Sequence, residues 1–228
     1  MRKGTDSSVH TLETLPAESA ASRDRVVRPH CSTTIVNYGA GNIRSVQNTL
    51  DELGAPYEVT DQPEVVLRAA KIILPGVGHF GQMMQAIDRL GLREPLKEKI
   101  RSGVPFLGIC VGLQCLFEKS EEAPGELGLG VLAGEVKRFA GNARIPHMGW
   151  NSLDQHRPSR LLKGLGEGTF TYFAHSYYAP VHAATAATCT YMHPYSAVLE
   201  QANLHAVQFH PEKSGPVGLK VMKNFLEI

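Results

Sequence analysis

Residues 104–114, VPFLGICVGLQ, constrain the fold of this chain more than any other stretch. A run of apolar side chains, of the kind found in a strand buried on both faces, leads without a linker into Gly108-Ile109-Cys110-Val111-Gly112. An apolar helical spacing follows at once. A strand that becomes a helix within two or three residues bends so sharply that the residue at the bend is lifted out of the sheet and its neighbours are crowded. Glycine on both sides of Cys110 relieves the crowding, because it has no Cβ and accepts backbone angles that other residues resist. The thiol is therefore expected at the rim of a sheet and at the positive end of a helix, a setting that favours thiolate. Free cysteines are otherwise most often buried and inert, and Cys31, Cys115 and Cys189, which lack such a frame, are read that way.

The bend belongs to a recurring pattern. A β-branched run over 33–36 gives way to a glycine turn, YGAGN at 38–42, and then to a helix with Ile43, Val46, Leu50 and Leu53 at helical spacing. A strand near 57–59, a helix capped by the acid of Asp61, a buried strand over 71–74 and helices over 79–90 and 92–102 precede the strand over 104–109. Such alternation predicts an open, mostly parallel, doubly wound α/β sheet, whose ligands lie beyond the carboxyl ends of its strands. From about residue 130 the rhythm changes. Stretches 131–139, 168–174, 184–191, 196–201 and 204–209 read as strands with no long helix between them, so the C-terminal half is expected to add mixed or antiparallel strands to the sheet. A helix over 218–226 closes the chain.

With 228 residues, 43% of them hydrophobic, the chain can bury one full core. We expect one domain over 32–228 and a mobile tail over 1–31, whose Ser, Thr, Glu and Arg show no apolar period and cannot offset their ordering entropy. Asp6, Glu13, Glu18 and Asp24 argue against a targeting peptide, while the Arg and Ser content of the tail leaves an organelle address as the alternative. A formal net charge of +1 with dispersed basic residues points away from nucleic acid, and no stretch has the length and apolarity of a membrane span. Four cysteines make neither a disulfide framework nor paired CxxC knuckles, so a reducing, cytoplasmic setting is expected.

A cysteine nucleophile needs a base. The segment AVQFHPEKS at 206–214 places His210 just past a predicted strand, on the sheet edge expected to carry Cys110. Glu212, two residues on, has the reach to hold the other imidazole nitrogen, as the acid does in a Ser-His-Asp triad. His193, His205 and His210 match no familiar metal-ligand spacing, and no metal is expected. IILPGVG at 72–78 is a second strand running into a glycine turn. It reads either as a source of main-chain donors for an oxyanion or as an ordinary turn; the Lys-Ser/Thr of a phosphate loop is absent.

Together, GICVG, the HPE of QFHPEKS (208–214) and LPGVG (74–78) resemble the class I, or triad, glutamine amidotransferases, from residue 33 to the end of the chain. Within that class YGAGN, PHMGWN at 146–151 and YFAHSYY at 172–178 are most similar to the glutaminase subunits that serve imidazole glycerol phosphate synthesis in the histidine pathway. PHMGWN discriminates best, because the elbow and HPE recur across the class. The resemblance implies a cofactor-free reaction: the Cys110 thiolate attacks the side-chain amide of L-glutamine, His210 protonates the departing ammonia, and water hydrolyses the glutamyl thioester. It also implies oxyanion donors around Gly76, Val77, Gly78 and Val111, and a glutamine pocket involving Gln114, His175 and Ser176, with Tyr172 a further candidate. Strand-end packing accounts equally well for Tyr172, His175 and Ser176.

The partner implied is a (β/α)8-barrel cyclase that receives the ammonia, with Asn42, Met148, Trp150 and Asn151 near the interface; for Trp150 core packing is the equal alternative. The turn over 75–78 is expected to be reset once that partner holds its substrate. Departures from the family pattern are the tail and Cys115, where a bulkier apolar residue is usual. A class I subunit of another pathway and a non-catalytic scaffold on this fold are the competing readings.

Overall fold

The computed structural model describes Met1 and residues 33–228; apart from Met1, the expected tail and Cys31 lie outside the described residues. The first half alternates as expected: β1 (Thr33–Val36), α1 (Ile43–Glu52), β2 (Tyr57–Thr60), α2 (Pro63–Arg68), β3 (Ile72–Gly76), α3 (Phe80–Arg89), α4 (Arg93–Arg101) and β4 (Phe106–Cys110). Every residue of β1, β3 and β4 is buried, as an apolar strand covered on both faces must be. On α1, Val46 and Leu50 are buried while Ile43 and Leu53 pack half-buried against the core, and each buried aliphatic contributes about 1.5–3 kcal/mol. Asp61 is not the cap of α2. Its carboxylate accepts from the Gln62 side chain, Thr60 Oγ1 accepts the Gln62 N–H, and the helix starts at Pro63, which has no N–H to satisfy.

The main sheet has eight strands in the order β2-β1-β3-β4-β13-β12-β11-β8, where β8 is Asp154–Gln155, β11 Thr185–Tyr191, β12 His193–Gln201 and β13 Leu204–Val207. The run from β2 to β13 is parallel and the rest antiparallel. Strand order reverses between β1 and β3. With right-handed crossovers the reversal sends α1 to one face and α2 to α4 to the other, consistent with α1 packing on α6 (Gly215–Leu226) and α2 on α4. Such a reversal is where open α/β sheets bind ligands.

The C-terminal half departs from expectation in one respect: only part of it joins the main sheet. After the one-turn helix α5 (Val111–Gln114), strands β5 (Phe117–Ser120), β6 (Leu132–Arg138) and β10 (Tyr177–Tyr178) form a small sheet of their own. Strands β7 (His147–Ser152) and β9 (Phe170–His175) form an antiparallel ribbon. Alternation along the ribbon buries His147, Thr171, Phe173 and His175 on one face, while Met148, Trp150 and Phe170 stand exposed on the other. No helix of the described residues is long and apolar enough to cross a membrane.

Candidate active site

Cys110 has φ +55° and ψ −109°, a conformation glycine adopts freely and a side-chain-bearing residue adopts only under strain of about 1–3 kcal/mol. The glycines around it allow backbones to touch. A Cβ on Gly76 would lie 2.2 Å from Gly112 N, one on Gly108 2.6 Å from Gly112 O, and one on Gly112 2.1 Å from Leu74 O. Close packing of α5 onto the ends of β3 and β4 therefore accounts for Gly76, Gly108 and Gly112. Parallel pairing sets Gly76 directly opposite Cys110, and the turn after β3 stands beside the thiol.

His210 follows β13 and leads into a short 3-10 turn, Pro211–Lys213. Its Nδ1 and Glu212 Oε1 are 2.8 Å apart, and the two side chains are only 4% and 3% exposed. Burial alone would lower the imidazole, but its bonds to Cys110 and Glu212 and their negative charges outweigh burial and lift it to about 10. The ring is thus protonated at neutral pH, with the sulfur on one side and the carboxylate on the other. Backbone bonds fix its place: His210 N–H donates to Tyr172 O at 2.9 Å. Ser214 Oγ donates to His210 O at 2.7 Å and accepts the Tyr172 N–H at 3.0 Å.

A cavity of about 350 Å³ opens over this group, a size suited to a small ligand. It brings together Cys110, His210, Val77, Gly78, Val111, Gln114, His175, Ser176 and Met148 from the residues singled out by sequence. Gly76, Glu212, Asn42, Trp150, Asn151 and Tyr172 do not line it. Gln114 Nε2 donates to Tyr177 O at 2.8 Å and to Gln208 Oε1 at 3.2 Å, which uses both its N–H groups and leaves its Oε1 as an acceptor. His175 donates from Nδ1 to Tyr177 O at 2.8 Å, and burial pushes its pKa down to about 3, so it meets the cavity as a neutral ring. Val77 N–H donates to the Tyr38 hydroxyl at 3.3 Å and in this state is committed there. Val111, first residue of α5, keeps an N–H that no intrahelical carbonyl can reach.

Four further residues of the site were not singled out one by one by the sequence. Glu122 lines the cavity and accepts the Phe80 N–H at 2.7 Å. Tyr38 reaches Val77 from the first glycine turn. Gln208 and Ser214 lie within the quoted QFHPEKS segment, but what they touch is set by folding.

Of the residues expected at an interface, Met148 and Trp150 are 65% and 54% exposed, and Trp150 meets Tyr172 edge-on at 6.1 Å. Core packing of Trp150 is thereby excluded. Asn42 accepts from Ser45 Oγ at 2.7 Å, and Asn151 is bound to Thr190 O at 3.0 Å, so both have local roles. Cys115 and Cys189 are buried, and burial raises both thiols, Cys189 to about 11.

Comparisons with known proteins identify the family. Residues 34–228 match the family model "Glutamine amidotransferase class-I". The imidazole glycerol phosphate synthase subunit HisH of Deinococcus radiodurans is 46% identical over 203 residues, covering 87% of this chain and 94% of that protein. The HisH subunit of Methanothermobacter thermautotrophicus is 46% identical over 195 residues, covering 85% and 97%. Among solved structures, a glutamine amidotransferase superposes with TM-score 0.68 at 21% identity over 85% of this chain and 97% of that one. PurLQS from Thermotoga maritima gives 0.64 at 18% over 86% and 97%. At these identities the structures speak for the fold alone. The chain belongs to the class I glutamine amidotransferase family and, within it, to the HisH subunits of imidazole glycerol phosphate synthase.

Proposed function

We propose that residues 32–228 form a glutaminase domain that hydrolyses L-glutamine to glutamate and ammonia through Cys110, His210 and Glu212. The observation that carries this reading is Cys110 in a glycine-type conformation, in one cavity with His210 and backed by the buried His210–Glu212 pair. Because His210 is already protonated, it acts first as an acid. The sulfur attacks the side-chain carbonyl carbon of glutamine, and the carbonyl π electrons move onto oxygen. Val111 N–H and the turn at Gly78 are placed to stabilise that oxygen; Val77 N–H joins them once it leaves Tyr38. His210 gives its proton to the nitrogen, the C–N bond breaks and ammonia departs. Neutral His210 then takes a proton from water as the water attacks the thioester, and glutamate leaves with the pair restored.

Glu212 keeps the ring oriented throughout and compensates its charge. Glu122 supplies a carboxylate for the α-ammonium of glutamine, and Gln114 Oε1 accepts a hydrogen bond from the substrate. The ammonia passes to a (β/α)8-barrel cyclase subunit, whose products are imidazole glycerol phosphate and aminoimidazole carboxamide ribotide. Support for that partner comes from the synthase-subunit names of the relatives and from the apolar face of Met148, Trp150 and Phe170 beside the cavity.

The test supplies the chain and a barrel cyclase with its ribulosyl substrate and compares glutamine with ammonium salts as nitrogen source. Cys110→Ala is expected to lose glutamine-dependent synthesis and keep ammonia-dependent synthesis. Retention of glutamine-dependent turnover in that variant would refute the assignment of the nucleophile.

A further inference from the structure

Gln208 is fully buried and contacts the sulfur, yet no step above uses it. Its backbone N–H donates to Ala197 O at 2.9 Å, which extends the pairing with β12 past the end of β13 and fixes where the side chain starts. The side-chain amide then has two neighbours. Its Nε2 lies 3.6 Å from Cys110 Sγ, and its Oε1 accepts from Gln114 Nε2 at 3.2 Å.

The orientation of this amide follows from its surroundings rather than from the sulfur. The carbonyl of Tyr177 only accepts, so the Gln114 atom 2.8 Å from it is the nitrogen. That same nitrogen faces Gln208, which must therefore present oxygen to Gln114 and nitrogen to Cys110. What the sulfur meets is a group that donates and cannot accept, on a side chain that is itself fully buried. A hydrogen bond donated by such a partner favours the anion over the thiol, against the opposing effect of burial.

We infer that Gln208 is a positioning residue for the nucleophile: its N–H holds the Cys110 sulfur as thiolate, and its carbonyl locks Gln114 with the acceptor free for substrate. The inference rests on Cys110 being the nucleophile. His210, backed by Glu212, supplies the counter-charge to the sulfur. Glu122, His175 and Lys213 line the same cavity as the thiol, and Tyr38, Cys115 and Tyr195 lie close enough to Cys110 to interact with its charge. None of these six replaces the Gln208 donor, because none is hydrogen-bonded to the sulfur.

The experiment follows the rate of iodoacetamide alkylation at Cys110 against pH on the full chain, resolved from the other cysteines by peptide mass spectrometry. In wild type Cys110 is expected to react faster than the buried Cys115 and Cys189 at neutral pH. Gln208→Met keeps the length and volume without the donor. It should slow Cys110 alkylation about tenfold at neutral pH and move the inflection up by about one pH unit. Unfolding midpoints show whether the variant is folded. If Gln208→Met does not fold, the isosteric Gln208→Glu decides: as a carboxylate it cannot donate, and the inflection should rise further. A folded variant with the wild-type profile overturns the role of Gln208 alone. Absence of preferential Cys110 labelling in wild type overturns the nucleophile reading and this inference together.

Discussion

Gly112→Ala isolates the contribution of the elbow's packing. Gly112 lies in α5 without a positive φ, so by helix propensity alone alanine would stabilise by about 0.5–1 kcal/mol. The structure reverses that sign. The new methyl would stand 2.1 Å from the Leu74 carbonyl oxygen, a backbone atom of β3 that no rotamer change can move. Restoring even 3.0 Å needs roughly 0.9 Å of displacement between α5 and β3. Overpacking of this kind costs about 1–3 kcal/mol. It also shifts Cys110, at the junction of β4 and α5, against His210. A misplacement near 1 Å costs on the order of 10²-fold in rate. Urea unfolding of the chain, and glutamine-dependent synthesis with the cyclase, report the two effects separately. Gly125→Ala is the control, since its Cβ would meet nothing within 4 Å, and it should change stability by less than about 0.5 kcal/mol and leave the rate intact. Wild-type stability and turnover in Gly112→Ala would show that the elbow does not depend on this contact.

Glu212→Gln removes the charge that helps keep His210 protonated, and should lower glutamine-dependent turnover by about 10²- to 10⁴-fold while ammonia-dependent synthesis by the complex persists. Burial depresses His147 and His205 to about 4 and His175 to about 3, so the unfolded chain binds protons near pH 6.5 that the folded chain refuses. Stability contributed by these rings is complete above pH 6.5 and is lost as pH falls toward 4 and then 3, by at most about 1.4 kcal/mol per ring per pH unit. His210, raised to about 10, has the opposite sign: its contribution is complete below pH 6.5 and is lost as pH rises toward 10. Urea midpoints at pH 4.5, 5.5, 7.5 and 9.5 should fall away on both sides, and a midpoint that is flat on the acid side contradicts the buried neutral rings. Trp150→Ala should leave the isolated chain within about 0.5 kcal/mol of wild type and weaken cyclase binding by about 30-fold, measured by calorimetry. Destabilisation of about 3 kcal/mol would mean that Trp150 is a core residue after all.

Sequence and structure carry different parts of this protein. Local pattern was enough for the strand-to-helix bend at Cys110, the alternation through 33–110 and the nearness of Glu212 to His210, because each depends on residues a few positions apart whose geometry is set by backbone sterics and side-chain reach. The ribbon of β7 and β9 was less legible: Gly149 and the polar His147 and Asn151 blur its alternation, and its paired residues lie between 18 and 28 positions apart. The main sheet stops short of β5, β6 and β10 for a similar reason, since a strand's own residues do not say which edge it joins.

Burial and long-range hydrogen bonds lay beyond any local pattern. The chain's own order determined that a thiol would be lifted from a sheet edge by a glycine-framed turn, and that a histidine with a neighbouring acid would follow a later strand. Only the tertiary structure decided that Gly76 pairs with Cys110, that Gln208 turns its N–H to the sulfur, that Tyr38 holds Val77, and that Trp150 faces outward. Those contacts join residues between 34 and 98 positions apart or depend on which face the rest of the chain covers, and both are settled when the sheet closes its order.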